Sequence, residues 1–331
     1  HALFANCTGG CNTAIGEYAL CSNTTGCEHV ALGRDALCQN TTALRSTAIG
    51  YRSLYSQTDT GGYNTGLGHT TLCSITTGTY NTAAGYAASC KVTGTGNSSY
   101  GADALRNTTT GTYNDAFGTA AMYNNVDGCN NAAFGHGVQY NNTDGIYNSG
   151  FGHKANYNNC SGNYNTSLGA FALCNNDGGH CNAALGYAAG RFTDTGSGAV
   201  TSPDNTTYIG ACTRASQATP LNETVIGFCA CGCGNNSVSI GNCDVGAIYL
   251  NTTGCVIANA FAKVGGSSSE FLKADGSVDS CSYTTCTGTT TPSNSQTFTN
   301  KAGNISQWTN DCGYTTCAGS VTPSSCDTFT N

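Results

Sequence analysis

The sequence has few charged residues, few basic residues in particular, and no long apolar run. Only 9% of its 331 residues are charged, against about 25% in typical soluble domains. With 11 lysines and arginines and a net charge of −7, the chain is poorly equipped to neutralise phosphates, so we expect no nucleic-acid partner. It contains no apolar run as long as the ~20 residues of a membrane-spanning helix, so we expect no membrane insertion.

Catalytic motifs are also absent from the sequence. There is no GxSxG, no HExxH and no P-loop, which carry the chemistry of hydrolases, zinc proteases and nucleotide-binding enzymes. The aspartates and glutamates are scattered and form no recurring pair of the kind that cleaves glycosidic bonds. We therefore expect a protein that is not an enzyme and that uses no cofactor.

Glycine, by contrast, is abundant, with 45 residues, and it recurs at a fixed interval. From Gly16 to Gly186, ten intervals cover 170 residues, so the mean period is 17. The repeated glycines are Gly16, Gly33, Gly50, Gly68, Gly85, Gly101, Gly118, Gly135, Gly152, Gly169 and Gly186. Such a column predicts backbone sites that need a positive φ or a close approach to another chain segment.

Other positions repeat in the same register. A mostly large apolar residue precedes each glycine, as in Ile15 and Leu32, and an asparagine often stands four residues before it, as in Asn12 and Asn64. Seventeen residues rich in glycine, asparagine and threonine are too few and too poor in helix formers for a helix pair. The pattern predicts coils with two short strands each, stacked about 4.8 Å apart as a parallel β-solenoid roughly 50 Å long. The asparagine columns indicate hydrogen-bonded side-chain ladders.

The predicted core is thin. Each coil contributes only about two large apolar side chains, whereas ordering each residue costs about 1–2 kcal/mol of conformational entropy. We therefore expect the rod to associate with copies of itself along its length, burying a second apolar column. The repeat does not determine the number of copies.

Several phrases resemble known fibre proteins. "NTTTGTYNDAFGTAAMYNN" (107–125) resembles repeats of bacteriophage tail fibres, and "NNSVSIGN" (235–242) resembles the head repeat of trimeric autotransporter adhesins. "NETVIGFCACGCGNNSVSIGN" (222–242) is similar to coils near the end of such heads in phage fibres. "FLKADGSVDSCSYTT" (271–285) and "FTNKAGNISQWTNDCGYTT" (298–316) are similar to shaft segments of phage tail fibres.

The resemblance implies an all-β fold in which the 17-residue coils form a left-handed parallel β-roll. Three chains would pack about a common axis and continue into an extended, β-rich shaft. The implied protein is a virion component whose partners are itself as a homotrimer, other tail proteins, and a polysaccharide or protein of the host cell surface. Its role would be to space or attach the particle, with several copies raising avidity.

The sequence divides into three regions. Residues 1–195 carry the regular repeat, and residues 196–262 carry irregular terminal coils, with an insertion near 197–205 and intervals of 24, 17 and 14 up to Gly241. Residues 263–331 comprise a linker and a 31-residue repeat, seen in the pairs Tyr283/Tyr314 and Phe298/Phe329. Because the second 31-residue unit ends at the last residue, we expect the natural polypeptide to continue.

A tyrosine column is the main candidate binding surface. Its members stand five residues before the repeat glycine, at Tyr63, Tyr80, Tyr113, Tyr147 and Tyr164. If exposed, such a ladder could stack on the sugars of a cell-surface polysaccharide. It could equally cover the coil edge and stiffen the rod without any ligand.

Two groups could bind metal. His136 and His153 follow the repeat glycine in adjacent coils, in a column that elsewhere holds unrelated residues and therefore also fits exposed polar positions. Cys229, Cys231 and Cys233 alternate, so in a strand their thiols would share one face. They could bind a metal ion or fill tight corners as small side chains.

Two other functions remain to be distinguished from a phage fibre. A bacterial cell-surface trimeric adhesin, located extracellularly, shares the roll. An ice-binding β-solenoid would need an unbroken threonine ladder, but the threonine column three residues before the glycine is interrupted, for example by Val30, Asp115 and Ala132.

Overall fold

The computed structural model describes residues 1–58, 61–245, 248, 271–272 and 278–279. The described part is all-β, and it contains one sheet of fourteen parallel strands in sequence order, from β1 to β14. The strands are β1 (Thr13–Ile15), β2 (Val30–Leu32), β3 (Thr47–Ile49), β4 (Thr65–Leu67), β5 (Thr82–Ala84), β6 (Ser98–Tyr100), β7 (Asp115–Phe117), β8 (Ala132–Phe134), β9 (Ser149–Phe151), β10 (Thr166–Leu168), β11 (Ala183–Leu185), β12 (Thr207–Ile209), β13 (Glu223–Ile226) and β14 (Ser237–Ile240). The predicted parallel β-solenoid with a 17-residue coil is confirmed.

Each described coil contains one strand, not the two that we expected. The segment after the repeat glycine forms turns in which alternate residues have positive φ, as at Tyr18 (59°) and Leu20 (50°). A left-handed conformation costs an L-residue roughly 1–2 kcal/mol, and it turns the chain too sharply for a strand. The backbone N–H groups of these turns nevertheless bond to the next coil, as from Leu20 to the carbonyl of Ala36 at 3.0 Å.

Register along the sheet follows the repeat. Thr13, Ala14 and Ile15 pair with Val30, Ala31 and Leu32, and equivalent pairings continue through the sheet. In most strands the middle residue, usually alanine, glycine or serine, points inward, and the two flanking residues point outward. The large residue that precedes each repeat glycine therefore lies on the outer face of the sheet.

The repeat glycines have the backbone conformation that the sequence predicts. Their φ angles lie between 125° and 140°, a region that side chains rarely allow. Space is limiting as well, because a Cβ on Gly101 would lie 2.6 Å from the carbonyl oxygen of Gly118 in the next coil. Both constraints act at every coil boundary, which explains why this column tolerates only glycine.

The interior has an apolar half made of stacked leucines and alanines. One column supplies fully buried large side chains, among them Leu37, Leu54 and Met122, and the neighbouring column supplies small ones such as Ala36 and Ala121. Of the two large apolar residues that a typical coil supplies, one lies in this column and the other on the outer face, so the core is even thinner than the sequence predicts.

The other half of the interior is polar and consists of an asparagine ladder. Asn131 is representative: its Nδ2 donates to the carbonyl oxygen of Gly145 at 2.8 Å, and its Oδ1 accepts the backbone N–H of Asn148 at 2.9 Å. A second asparagine column completes the arrangement, since Asn142 also donates to the carbonyl of Gly145 at 2.9 Å. Asn142 also donates to Oδ1 of Asn125 in the adjacent coil at 2.7 Å, so amides of both columns tie their coils to a neighbour, which confirms the predicted side-chain ladders.

The coils become irregular after β11. The coil between Gly186 and Gly210 is longer than the others and includes an antiparallel bridge between Phe192 and Ala199. After it, β12 pairs with β11 in the sheet. The last coil is shorter, because Ile226 pairs with Ile240 after only 14 residues. Here the core contains the buried ring of Tyr208 and the buried carboxylate of Glu223, whose oxygens accept N–H groups of Ser216 and Gly234.

The chain divides into two units, His1–Tyr249 and Leu250–Asn331. In the second unit the structure describes an antiparallel pair formed by β15 (Phe271–Leu272) and β16 (Val278–Asp279). The other residues of the predicted linker and of the 31-residue repeats lie outside the described residues.

Candidate interaction surfaces

A continuous apolar column runs along the outer face of the sheet, and we call it the apolar ridge. Its members are Ile15, Leu32, Ile49, Leu67, Ala84, Tyr100, Phe117, Phe134, Phe151, Leu168, Leu185 and Ile209. Ile15 is 61% exposed, and Leu168 and Leu185 are each 48% exposed. At its centre four rings stack from Tyr100 to Phe151 with centroid separations of 4.7–4.8 Å.

The apolar ridge is long as well as exposed. It spans twelve consecutive strands, and at about 4.8 Å per strand it extends for roughly 50 Å. Isolated exposed apolar residues are ordinary on protein surfaces, whereas a contiguous stripe of this kind marks an interaction site. The sequence identified the column, and the structure shows that it faces outward.

The tyrosine column is exposed and discontinuous. Its five rings are between 40% and 62% exposed. Tyr63 stacks on Tyr80 at 5.0 Å and Tyr147 stacks on Tyr164 at 5.3 Å, whereas Tyr113 lies between Gly96 and Asn130 of the adjacent coils. The column therefore offers two stacked pairs and one single ring rather than an unbroken ladder.

A second tyrosine ladder was not recognised in the sequence. Tyr123, Tyr140 and Tyr157 follow the repeat glycine by five residues and stack at 5.0 and 5.1 Å. Arg106 lies over the ring of Tyr123 and Lys154 lies over that of Tyr157. The 17-residue spacing of these tyrosines was the available signal, but cysteine and arginine occupy the same column in other coils and obscure it.

The candidate metal ligands are placed as follows. His136 and His153 are exposed, and their rings stack with centroids 5.3 Å apart, as neighbours in one column should. Cys229, Cys231 and Cys233 do not share a strand, because Cys229 lies in a turn with φ of 51° and only Cys231 forms a bridge, to Arg214. The condition under which their thiols would share one strand face is therefore not met.

Cys229 and Cys231 instead line an open cleft of about 550 Å³, together with Arg214, Phe228, Cys243 and Asp244. Within residues 1–58 and 61–245 and the few described positions beyond them, no group of three histidine, cysteine or acidic side chains is arranged to hold a metal ion. No helix in that part of the chain is both long enough and apolar enough to cross a bilayer.

Comparison of the chain with protein-family models, with curated proteins and with solved structures returned no match.

Proposed function

We propose that the protein is a non-enzymatic structural fibre, the head and shaft region of a phage tail fibre, assembled as a left-handed homotrimeric β-roll. The apolar ridge is the observation that carries this proposal. A stripe about 50 Å long that is left in water costs free energy in proportion to its apolar area, at about 25 cal/mol per Å². Packing ridges together about a common axis removes that cost over the whole length of the rod.

Native mass spectrometry and sedimentation equilibrium test the assembly directly. The wild-type chain should have three times the monomer mass. Phe134→Asp places a charge at the centre of the ridge and should shift the population to monomer, because a buried carboxylate without a partner is strongly disfavoured. Thr119→Asp is the matched control, since Thr119 is exposed and lies outside the ridge. A wild-type monomer, or a Phe134→Asp trimer as stable as the control, would overturn the proposal.

The proposed role is attachment of a virion to a bacterial surface polysaccharide or protein. The exposed ring pairs Tyr63–Tyr80 and Tyr147–Tyr164 support sugar stacking. Three copies of each pair in one fibre would raise a weak contact to useful avidity.

Glycan-array binding with the wild-type chain tests this role, with Tyr147→Ala/Tyr164→Ala as the variant. We expect the variant to lose binding while keeping its oligomeric mass. Equal binding by both proteins would show that the Tyr147–Tyr164 pair does not contact sugar.

A cell-surface trimeric adhesin of a bacterium is the second candidate function. The 14-residue coil between β13 and β14 favours it, because the phrase "NNSVSIGN" at that coil resembles the adhesin head repeat. Proteomics of purified virions and of bacterial outer-membrane fractions distinguishes the two locations. Detection of the chain in purified virions would support the tail-fibre function, and its detection in envelopes of uninfected cells would support the adhesin function.

A further inference from the structure

Two cysteines face each other in consecutive coils, in the column that carries the second tyrosine ladder further along the chain. Cys73 and Cys90 are 17 residues apart, occupy the same position in their turns, and are half-buried. Their Sγ atoms lie 2.7 Å apart, about 0.65 Å more than the ~2.05 Å of a disulfide bond. A small rotation of the two side chains is enough to bring the sulfurs to bonding distance.

The backbone holds this pair in place on both sides. The N–H of Leu72 donates to the carbonyl of Ala88 at 3.1 Å, and the N–H of Ser74 donates to the carbonyl of Cys90 at 2.9 Å. Stacked coils place equivalent Cα atoms about 4.8 Å apart, within the 4.4–6.8 Å that disulfides require. The spacing of the coils is therefore compatible with a disulfide between the two residues.

Electrostatics favour disulfide formation between these two cysteines. The hydrogen bond from the Cys90 thiol lowers the pKa of Cys73 to about 6, and the charge of Arg52 acts in the same direction. The pKa of Cys90 is raised, chiefly by the same hydrogen bond. Cys73 is thus the more readily deprotonated of the two, and the thiolate is the nucleophilic form in thiol–disulfide exchange.

We propose that Cys73 and Cys90 form a disulfide that joins two consecutive coils, made by exchange with a small-molecule disulfide such as oxidised glutathione. The Cys73 thiolate attacks one sulfur of the small disulfide, whose S–S bond breaks, and it forms a mixed disulfide while one thiolate leaves. Cys90 then loses its proton to solvent and attacks the Cys73 sulfur, releasing the second thiolate. The two cysteines lose two electrons and two protons, and the small disulfide is reduced to two thiols.

Peptide mapping tests the bridge in the wild-type chain. The folded protein is incubated with oxidised glutathione, denatured, alkylated without reduction, and digested with trypsin. The tryptic peptide 53–91 contains Cys73 and Cys90 and no other cysteine. We expect this peptide to be lighter by two hydrogen atoms than its reduced form, and to gain two alkyl groups only after reduction.

The single variants Cys73→Ser and Cys90→Ser are the controls. In each, the remaining cysteine should be alkylated or carry glutathione, and the lighter peptide should disappear. Wild-type protein in which both cysteines carry separate alkyl or glutathione groups would overturn the proposal. A cross-link between peptides 53–91 of two different chains would also overturn it, because the bridge would then join molecules instead of coils.

Discussion

Removing one amide from the asparagine ladder should destabilise the protein far more than removing an equivalent exposed amide. In Asn131→Ala, the side chain loses two donated hydrogen bonds, to the carbonyl of Gly145 at 2.8 Å and to Oδ1 of Asn114 at 3.1 Å. It also loses one accepted hydrogen bond, from the N–H of Asn148 at 2.9 Å. At about 1 kcal/mol for each bond, this amounts to about 3 kcal/mol.

Other hydrogen-bond partners do not replace all the bonds that Asn131→Ala removes. The carbonyl of Gly145 keeps its bond from Asn142, but the N–H of Asn148 loses its acceptor in a buried site. An orphaned buried donor costs about 1–3 kcal/mol, so part of the effect reflects that donor rather than the bonds themselves. We expect a total of about 3–4 kcal/mol.

Asn124→Ala is the matched control. Asn124 also stands in an amide ladder, donating to Asn141 at 2.9 Å and accepting from Asn107 at 2.9 Å. It is only half-buried, so water can replace both partners and the expected cost is at most about 1 kcal/mol. Urea unfolding of both variants at one protein concentration measures the difference, and hydrogen exchange at the Asn148 amide localises it. If the two variants agree within about 0.5 kcal/mol, the polar half of the interior does not hold the coils together as described.

Three further predictions concern single residues. Burial lowers the pKa of His29, whose Nδ1 accepts the N–H of Ser46. Because the unfolded chain binds the proton more readily, the free energy of unfolding should fall as the pH drops below about 6.5. Urea midpoints measured at about pH 8 and pH 5 should show this fall for the wild type and a smaller one for His29→Asn. Ala120 has φ of 54°, so Ala120→Gly should stabilise the protein by about 0.5–1 kcal/mol, whereas Ala121→Gly in the core should destabilise it by a similar amount. Melting temperatures that shift in the same direction for both variants would contradict this. Gly118→Ala combines a φ of 136° with a Cβ against Gly135 of the next coil and should cost more than about 3 kcal/mol; a loss below about 1 kcal/mol in urea unfolding would contradict it.

The period, the parallel stacking and the asparagine ladder could be predicted because identical residues recur at identical positions. The number of strands in each coil could not. Leu20, Leu37 and Leu54 look like strand residues in the sequence, yet each has φ near 50°. Stacking hydrogen bonds from the adjacent coil impose this conformation, and a local propensity argument cannot anticipate it.

The candidate surfaces were predicted unevenly for a similar reason. The tyrosine column was visible because tyrosine fills most of it between Tyr63 and Tyr164. His29 was missed, although it stands in the asparagine column and takes over its role, its Nε2–H donating to the carbonyl oxygen of Ala43 at 2.7 Å. A column that changes residue type keeps its function in the structure while losing its signature in the sequence.

The apolar ridge and the thin core have one cause. The inward position of most strands holds alanine, glycine or serine, because side chains of the turns fill the space there, as where a Cβ on Gly150 would meet Val138. The large residue of each strand must then point outward, as Phe134 and Leu168 do. A rod of this cross-section cannot bury those side chains by itself, whatever its length. A second copy of the chain presents an apolar surface with the same 4.8 Å spacing by construction, which is why we propose self-association rather than an unrelated partner.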